Sequence, residues 1–222
     1  MKTLLSTKII SDRQKKLICD KQIKLIDKDF ISISKTVFDI ANKCINWIFT
    51  SKNAVNMVLQ SEYKRLINFD EINFFCVGKN TRDLIIKSGA KKTKMAKNSI
   101  KLANLIQKTT NKCHFTYFRG SIKNKEFSDF FKKNKIPLNE VQVYKTQLKP
   151  KKIKNEIDGI MFFSPSGIKS FKLKNEIGNV PCFSIGDTTS EYLTKFTSNI
   201  HTAKNPSIEN VIKLAVQHLT NE

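Results

Sequence analysis

For so basic a chain, arginine is scarce. Arg13, Arg65, Arg82 and Arg119 are the full set among 40 basic residues, which face 19 acidic ones for a formal net charge of +21. Proteins that read nucleic acid rely on arginine for forked contacts to bases and phosphates. No stripe of arginine interleaved with aromatics runs along this chain. The lysines are dispersed among abundant Asn and Ile, as drift in an AT-rich genome leaves them. What remains is a surface field that favours a polyanionic ligand.

Other shortages exclude further classes. Five cysteines, Cys19, Cys44, Cys76, Cys113 and Cys182, make no CxxC pair, and an odd number is a poor disulfide framework. Cys76 and Cys182 lie in apolar runs, where a free thiol behaves as a small core residue, so a reduced cytoplasm is expected. The three histidines, His114, His201 and His218, are far apart and form no HxxxH or HExxH, so no metal site is expected. Seven glycines form no GxGxxG, Walker loop or GxSxG, which removes support for dinucleotide, ATP or nucleophile-elbow chemistry. Apolar runs such as Ile160-Met161-Phe162-Phe163 are too short to cross a bilayer, and the N-terminus does not read as a signal peptide. With no exposed apolar stripe evident, a monomer is expected, with neither membrane nor nucleic acid as partner.

What is present is enough for packed cores: 40% hydrophobic residues over a length of 222, room for one large domain or two ordinary ones. Lys2–Thr7 reads as a first strand, and Lys24–Ser34 alternates as one or two extended segments. Trp47-Ile48-Phe49 reads as a strand buried on both faces, followed by a helix from Ser51 or its neighbour. Ile72–Val77 reads as a strand ending at Gly78, with a helix from Thr81 stopping at Gly89. The Lys91–Lys94 cluster reads as a solvated face or loop. A helix over Ile100–Ile106, a strand over His114–Phe118, a helix around Phe127–Phe131 and an extended Val141–Thr146 follow. Lys149–Lys154 reads as a link. Gly159–Phe163 and Pro181–Ile185 each open a strand–turn–helix, and Ser207–Leu219 closes the chain as an amphipathic helix. Strands alternating with helices predict α/β architecture with parallel sheets.

An internal repeat runs in this order. Phe49-Thr50-Ser51-Lys52-Asn53-Ala54-Val55 lies on Phe162-Phe163-Ser164-Pro165-Ser166-Gly167-Ile168, and Cys76-Val77-Gly78-Lys79-Asn80-Thr81 on Ser184-Ile185-Gly186-Asp187-Thr188-Thr189. Ligands of open parallel sheets bind beyond the C-terminal strand ends. Helix N-termini and nearby hydroxyls there hold anions. Ser51, Thr81, Ser164 and Thr189 read equally as ordinary helix caps; both readings stand.

At these residues the sequence resembles the uroporphyrinogen-III synthase family. Val77-Gly78-Lys79-Asn80-Thr81, Val143-Tyr144-Lys145-Thr146 and Ile185-Gly186-Asp187-Thr188-Thr189 join the two Ser-bearing motifs in the family's order, over roughly Ile45 to Thr189. The resemblance implies two α/β domains with parallel sheets, joined by a two-stranded extended linker, with the active-site cleft between them. Residues 1–26 plus 147–222 would form a discontinuous domain and 35–140 an inserted one, with 27–34 and 141–146 as the connecting ladder. It implies cofactor-free cyclisation of hydroxymethylbilane to uroporphyrinogen III, with ring D inverted and water lost. Tyr144 would be the general acid, although it reads as readily as a packing residue of the ladder. Thr50, Ser51, Lys52, Gly78, Lys79, Thr81, Arg119, Gly120, Ser121, Ser164, Ser166, Gly167, Gly186, Thr188 and Thr189 would bind the substrate's eight carboxylates. Lys8 stands where relatives often carry Arg, and Asp187 puts negative charge beside a supposed anion site. A competing expectation takes the charge at face value: a non-catalytic two-domain protein that binds nucleic acid or another polyanion, revealed by strong salt-dependent binding to random DNA or RNA. A tetrapyrrole sensor built on the same duplicated fold is a third.

Overall fold

A computed structural model of the chain describes residues 1–40, 44–60, 62–109 and 113–220. Every candidate site residue falls within them, whereas the expected domain spans also take in 41–43, 61, 110–112 and 221–222, which lie outside. In chain order the elements are β1 (Lys2–Ser6), α1 (Asp12–Lys15), β2 (Ile23–Asp27), β3 (Ile31–Lys35), β4 (Asn46–Phe49), α2 (Lys52–Leu59), β5 (Asn73–Val77), α3 (Lys79–Lys87), β6 (Lys92–Ala96) and α4 (Ser99–Thr109). Then come β7 (Phe115–Gly120), α5 (Lys125–Lys133), β8 (Leu138–Leu148), β9 (Gly159–Phe162), α6 (Pro165–Lys172), β10 (Cys182–Ser184), α7 (Asp187–Leu193), β11 (Ile200–Thr202) and α8 (Ile208–Thr220). By contact the chain divides into Met1–Ser32 with Gln147–Glu222, the discontinuous unit, and Ile33–Thr146, the inserted unit.

The discontinuous unit is built on a parallel sheet in the order β11-β10-β9-β1-β2. Successive side chains of a strand point to opposite faces, so the adjacent Leu4 and Leu5 serve different cores. Leu4 packs with Met161, Phe183, Val211 and Ile212 beneath α8. Leu5 packs with Ile160, Phe162, Ile168 and Phe171 beneath α6. Each side chain buried in this way contributes about 1.5–3 kcal/mol relative to exposure. Coverage on both faces is what continuous apolar strands require.

The inserted unit carries a sheet in the order β3-β8-β7-β4-β5-β6, with β8-β7-β4-β5-β6 parallel. One face is a layer of rings, Trp47, Phe49, Phe74 and Phe118, under α2 and α3. The other sets Ile48, Phe75, Phe115 and Tyr117 against Phe127 and Phe131 of α5 and Leu102 of α4.

Several local readings are corrected. Lys91–Lys94 is the solvated face expected of it, but not a loop: Lys92–Ala96 is the edge strand β6, in register with β5 from Asn73↔Lys92 to Val77↔Ala96. Its lysines are exposed, as a guarded sheet edge requires. The helix expected from Thr81 begins at Lys79 with Gly78 as N-cap, leaving Thr81 at the third helical position. Gly78 holds φ 80°, a conformation that glycine adopts without strain. The short α1 and β11 are additions to the sequence reading. Ser11 nevertheless announces α1 through a reciprocal capping box with Gln14.

Candidate functional site

Because β8-β7-β4-β5-β6 in one sheet and β11-β10-β9-β1-β2 in the other pair in parallel, the C-terminal ends of these strands share one rim in each sheet. On the inserted unit, β4 delivers Thr50, Ser51 and Lys52 there, β5 delivers Gly78 and Lys79, and β7 delivers Gly120 and Ser121. Ser51 caps α2 from an extended backbone, φ −148° and ψ 139°, and accepts from the Asn53 N–H at 3.1 Å. Its Oγ also receives the Tyr144 hydroxyl at 3.4 Å. Beside it, Thr50 Oγ1 lies 2.8 Å from the Tyr117 hydroxyl. Two neighbouring hydroxyls are thus each backed by a phenol.

The placement of Tyr144 follows from the strand pair β7–β8. Their register shifts between Arg119 and Gly120, after which Gly120 faces Tyr144. The Tyr144 ring lies directly over Gly120: a Cβ there would come within 2.5 Å of ring Cζ and 2.8 Å of the hydroxyl. Only glycine admits so close an approach. The Ser121 N–H donates to the Tyr144 carbonyl at 2.9 Å, and Ser121 Oγ accepts from the Thr146 N–H at 3.0 Å. A ladder irregularity that re-aims one side chain is a familiar use of a bulge.

Arg119 points elsewhere. Its Nε donates to Glu140 Oε2 at 2.6 Å and its Nη1 to the Gly120 carbonyl at 2.9 Å, with Lys123 on the other Glu140 oxygen at 3.2 Å. Burial works to raise the Glu140 pKa, but hydrogen bonds from Ser128, Lys123 and Arg119 outweigh it and hold the carboxyl below its ordinary value. The Tyr117 phenol is pushed up chiefly by burial, with the Thr50 hydrogen bond acting against it and Tyr144 and Glu140 reinforcing it. Tyr117 therefore keeps its proton. The exposed Lys52 and Lys79 supply positive charge at the same rim.

The rim of the discontinuous unit is made of hydroxyls. Ser164 caps α6 with φ −169° and ψ 155°, accepting from the Gly167 N–H at 3.1 Å and bonding Ser166 Oγ at 3.0 Å. Gly167 is buried, and a Cβ on it would lie 3.4 Å from Ser164 Oγ and 3.7 Å from Thr7 Oγ1. Ser190 Oγ bonds both Ser184 Oγ and Thr202 Oγ1. Gly186 is the N-cap of α7, placing Asp187, exposed, at the first helical position, where a carboxylate suits the helix dipole. Thr188 is exposed, whereas Thr189 is buried at the third position, as Thr81 is in α3.

The structure thus brings Thr50, Ser51, Gly120, Ser121 and Tyr144 together on one unit and Ser164, Ser166 and Gly167 on the other. Sequence reasoning misses Tyr117, Thr7 and the Ser184–Ser190–Thr202 group. In Phe115-Thr116-Tyr117-Phe118 the tyrosine reads as one more core ring, and nothing local marks its hydroxyl. Among the described residues no group of three or more His, Cys, Asp or Glu side chains is placed to hold a metal, and no helix is long and apolar enough to cross a membrane.

A family model described as uroporphyrinogen-III synthase HemD matches residues 25–213. In structure the chain is similar to uroporphyrinogen-III synthetase from Helicobacter pylori, with TM-score 0.68 and 19% identity over 98% of this chain and 100% of that one. It is also similar to a mutant uroporphyrinogen III synthase from Thermus thermophilus, with TM-score 0.72 and 8% identity over the whole of both chains. For a wild-type crystal of the Thermus enzyme the TM-score is 0.57 at 9% identity, over 100% of this chain and 97% of that one. At such identities the likeness is one of fold: two α/β domains with parallel sheets. No curated protein sequence matches the chain.

Proposed function

The chain belongs to the uroporphyrinogen-III synthase family, hydro-lyases of haem biosynthesis that close hydroxymethylbilane into uroporphyrinogen III, and on that premise we propose that Tyr144 is its general acid and the two hydroxyl-bearing rims its carboxylate grips. The observation that carries the assignment is the seat of Tyr144: its ring rests on Gly120 and its hydroxyl on Ser51. A phenol fixed in this way can give its proton to the departing hydroxyl of the first pyrrole ring, which leaves as water. The azafulvene cation left behind is attacked by the last ring through its substituted carbon. The resulting spiro intermediate fragments and recloses with that ring inverted, and the proton lost from the ring carbon balances the one donated.

Left in water the bilane closes without inversion, so catalysis here consists chiefly of holding a conformation. Donors suited to eight carboxylates are supplied by Thr50, Ser51, Lys52, Lys79, Gly120 and Ser121 on the inserted unit and by Ser164, Ser166, Gly186 and Thr188 on the discontinuous one. The N–H groups of Gly78, Thr81, Gly167 and Thr189 are spent on Ala96, Gly78, Ser164 and Gly186, so these four shape the rims instead. Arg119 serves this site through its ion pair with Glu140, which braces the β7–β8 strand pair, rather than through a free charge. We take residues 1–26 plus 147–222 and 35–140 as the two domains, with 27–34 and 141–146 as the ladder; the division by contact at Ser32 and Thr146 supports this reading. The same reading has the protein act as a cytoplasmic monomer without a cofactor, since positional catalysis on a soluble bilane needs none. Family membership does not favour the non-catalytic, polyanion-binding alternative.

The test is a coupled assay in which hydroxymethylbilane is generated by its upstream synthase, the protein is added, and the oxidised products are resolved into type I and type III porphyrins. A dominant type III product is expected. Type I alone, at the uncatalysed rate and from folded protein, would overturn the proposal.

A further inference from the structure

Tyr117 takes no part in the chemistry above, yet its hydroxyl needs a reason. The ring is 3% exposed, packs edge-on against Phe127 at 5.0 Å, and lies among Ile48, Phe75 and Phe131. Phenylalanine would fill that space equally well. A hydroxyl carried into such a core is costly unless it is hydrogen-bonded, and the bond that it makes is to Thr50 Oγ1 at 2.8 Å.

The direction of that bond has a chemical consequence. Either hydroxyl can donate in this pair; because Tyr117 is protonated and a phenol is a far stronger acid than an aliphatic alcohol, the arrangement with Tyr117 donating and Thr50 accepting is the favoured one. A threonine hydroxyl has one proton and two lone pairs. Once it accepts from Tyr117, its own proton is free for another partner, and a hydroxyl that accepts also donates more strongly. Ser51, one residue on, is served from the other face of the sheet: its Oγ accepts from the Asn53 N–H at 3.1 Å, and the Tyr144 hydroxyl lies 3.4 Å away. Thr50 is therefore turned into a donor, and it is half-buried rather than sealed in. An acceptor-only group such as a carboxylate is the ligand that such a donor suits.

We propose that Tyr117 is a positioning residue for substrate binding: it fixes Thr50 as a hydrogen-bond donor to a substrate carboxylate. This rests on the reading of the rim as the carboxylate-binding edge. The role lies in affinity, not in bond-making, and it passes wholly through Thr50.

The test compares Tyr117→Phe, Thr50→Val and the double variant in the type III assay, and measures the affinity of each for uroporphyrin III, a stable octacarboxylate, by fluorescence. Tyr117→Phe is expected to raise KM and the uroporphyrin Kd by about fivefold to tenfold, as loss of one bond of this kind gives, with kcat nearly unchanged. The double variant is expected to be no weaker than Thr50→Val alone, because the two residues act as one. Unchanged KM and Kd with a lower melting temperature would reduce Tyr117 to packing and overturn the proposal. A fall in kcat without a change in KM, or additive effects in the double variant, would overturn it as well. If the wild-type protein makes no type III product, the functional reading falls instead, and the Kd series still decides the role of Tyr117.

Discussion

Ser51 in the inserted unit and Ser164 in the discontinuous one hold the same position, after a buried strand and before a helix. Their extended backbones are similar, and each accepts a backbone N–H of the helix that it caps. Their company differs. Ser51 and its neighbour Thr50 are met by Tyr144 and Tyr117, side chains delivered by β8 and β7. Ser164 is met by Ser166, with Thr7 and Gly167 nearby. The local turn is a repeated solution to ending a strand and starting a helix, whereas the chemistry of each rim comes from the strands beside it. On the reading proposed above, the inserted rim handles the proton and the discontinuous rim binds.

The sharpest way to break the comparison is at the two glycines. Gly120→Ala puts a methyl carbon where the Tyr144 ring lies, so the ring swings and its hydroxyl moves. A shift of about 1 Å at a reacting group costs on the order of 10²-fold, and a loss of that size in type III turnover is expected. Gly167→Ala meets nothing closer than 3.4 Å and is expected to cost far less; equal losses would show that the rims are not specialised. Tyr144→Phe comes next. It is expected to lower kcat by about tenfold or more without abolishing type III product, since holding the bilane does most of the work. Full retention of kcat would remove the general acid from Tyr144. Ser51→Ala and Ser164→Ala should each lose about 1 kcal/mol as caps, seen as similar falls in melting temperature, while Ser51→Ala alone also loosens Tyr144 and lowers kcat.

The smallest effect concerns acid. In the discontinuous unit the His201 and His218 rings stand 4.3 Å apart against Phe183. Burial first, and the neighbouring His218 second, hold the His201 pKa below its ordinary 6.5. The unfolded chain thus takes up the proton more readily. The stabilising contribution is present above pH 6.5 and is lost as the pH falls below it. Thermal melts between pH 8 and pH 5 should show a decline that His201→Gln flattens; an identical decline in that variant would assign it to other groups.

Much of this is legible without coordinates. The cap at Ser51, the matching cap at Ser164 and the alternation of strand and helix rest on local rules, and local rules read well. A start for α3 at Thr81 is two residues late because Thr81 has a cap-forming side chain, yet Gly78 takes the cap by adopting φ 80°. The edge strand β6 is hidden by its lysines, which protect a sheet edge and also make it look like a loop. Arg119 reads as a free cation until strand pairing brings Glu140, twenty-one positions on, against its guanidinium. Between Thr188 and Thr189 nothing local decides which is buried. The role of the Tyr117 hydroxyl is invisible in sequence because what distinguishes it from phenylalanine is a partner 67 positions earlier in the chain.

The order of strands in the discontinuous unit also says something about how the protein is made. β1 lies inside its sheet, between β2 and β9, and pairs Leu4 with Gly159. A ribosome releases β1 long before β9 exists, so the first strand must wait with one edge unmatched while the inserted unit is synthesised. Closing so long a loop of disordered chain would be entropically expensive. The inserted unit is contiguous and can fold first, and its ends are already close, with the Thr36 N–H bonded to the Val143 carbonyl. Once folded it acts as a short clasp, so that the late strands meet β1 as near neighbours.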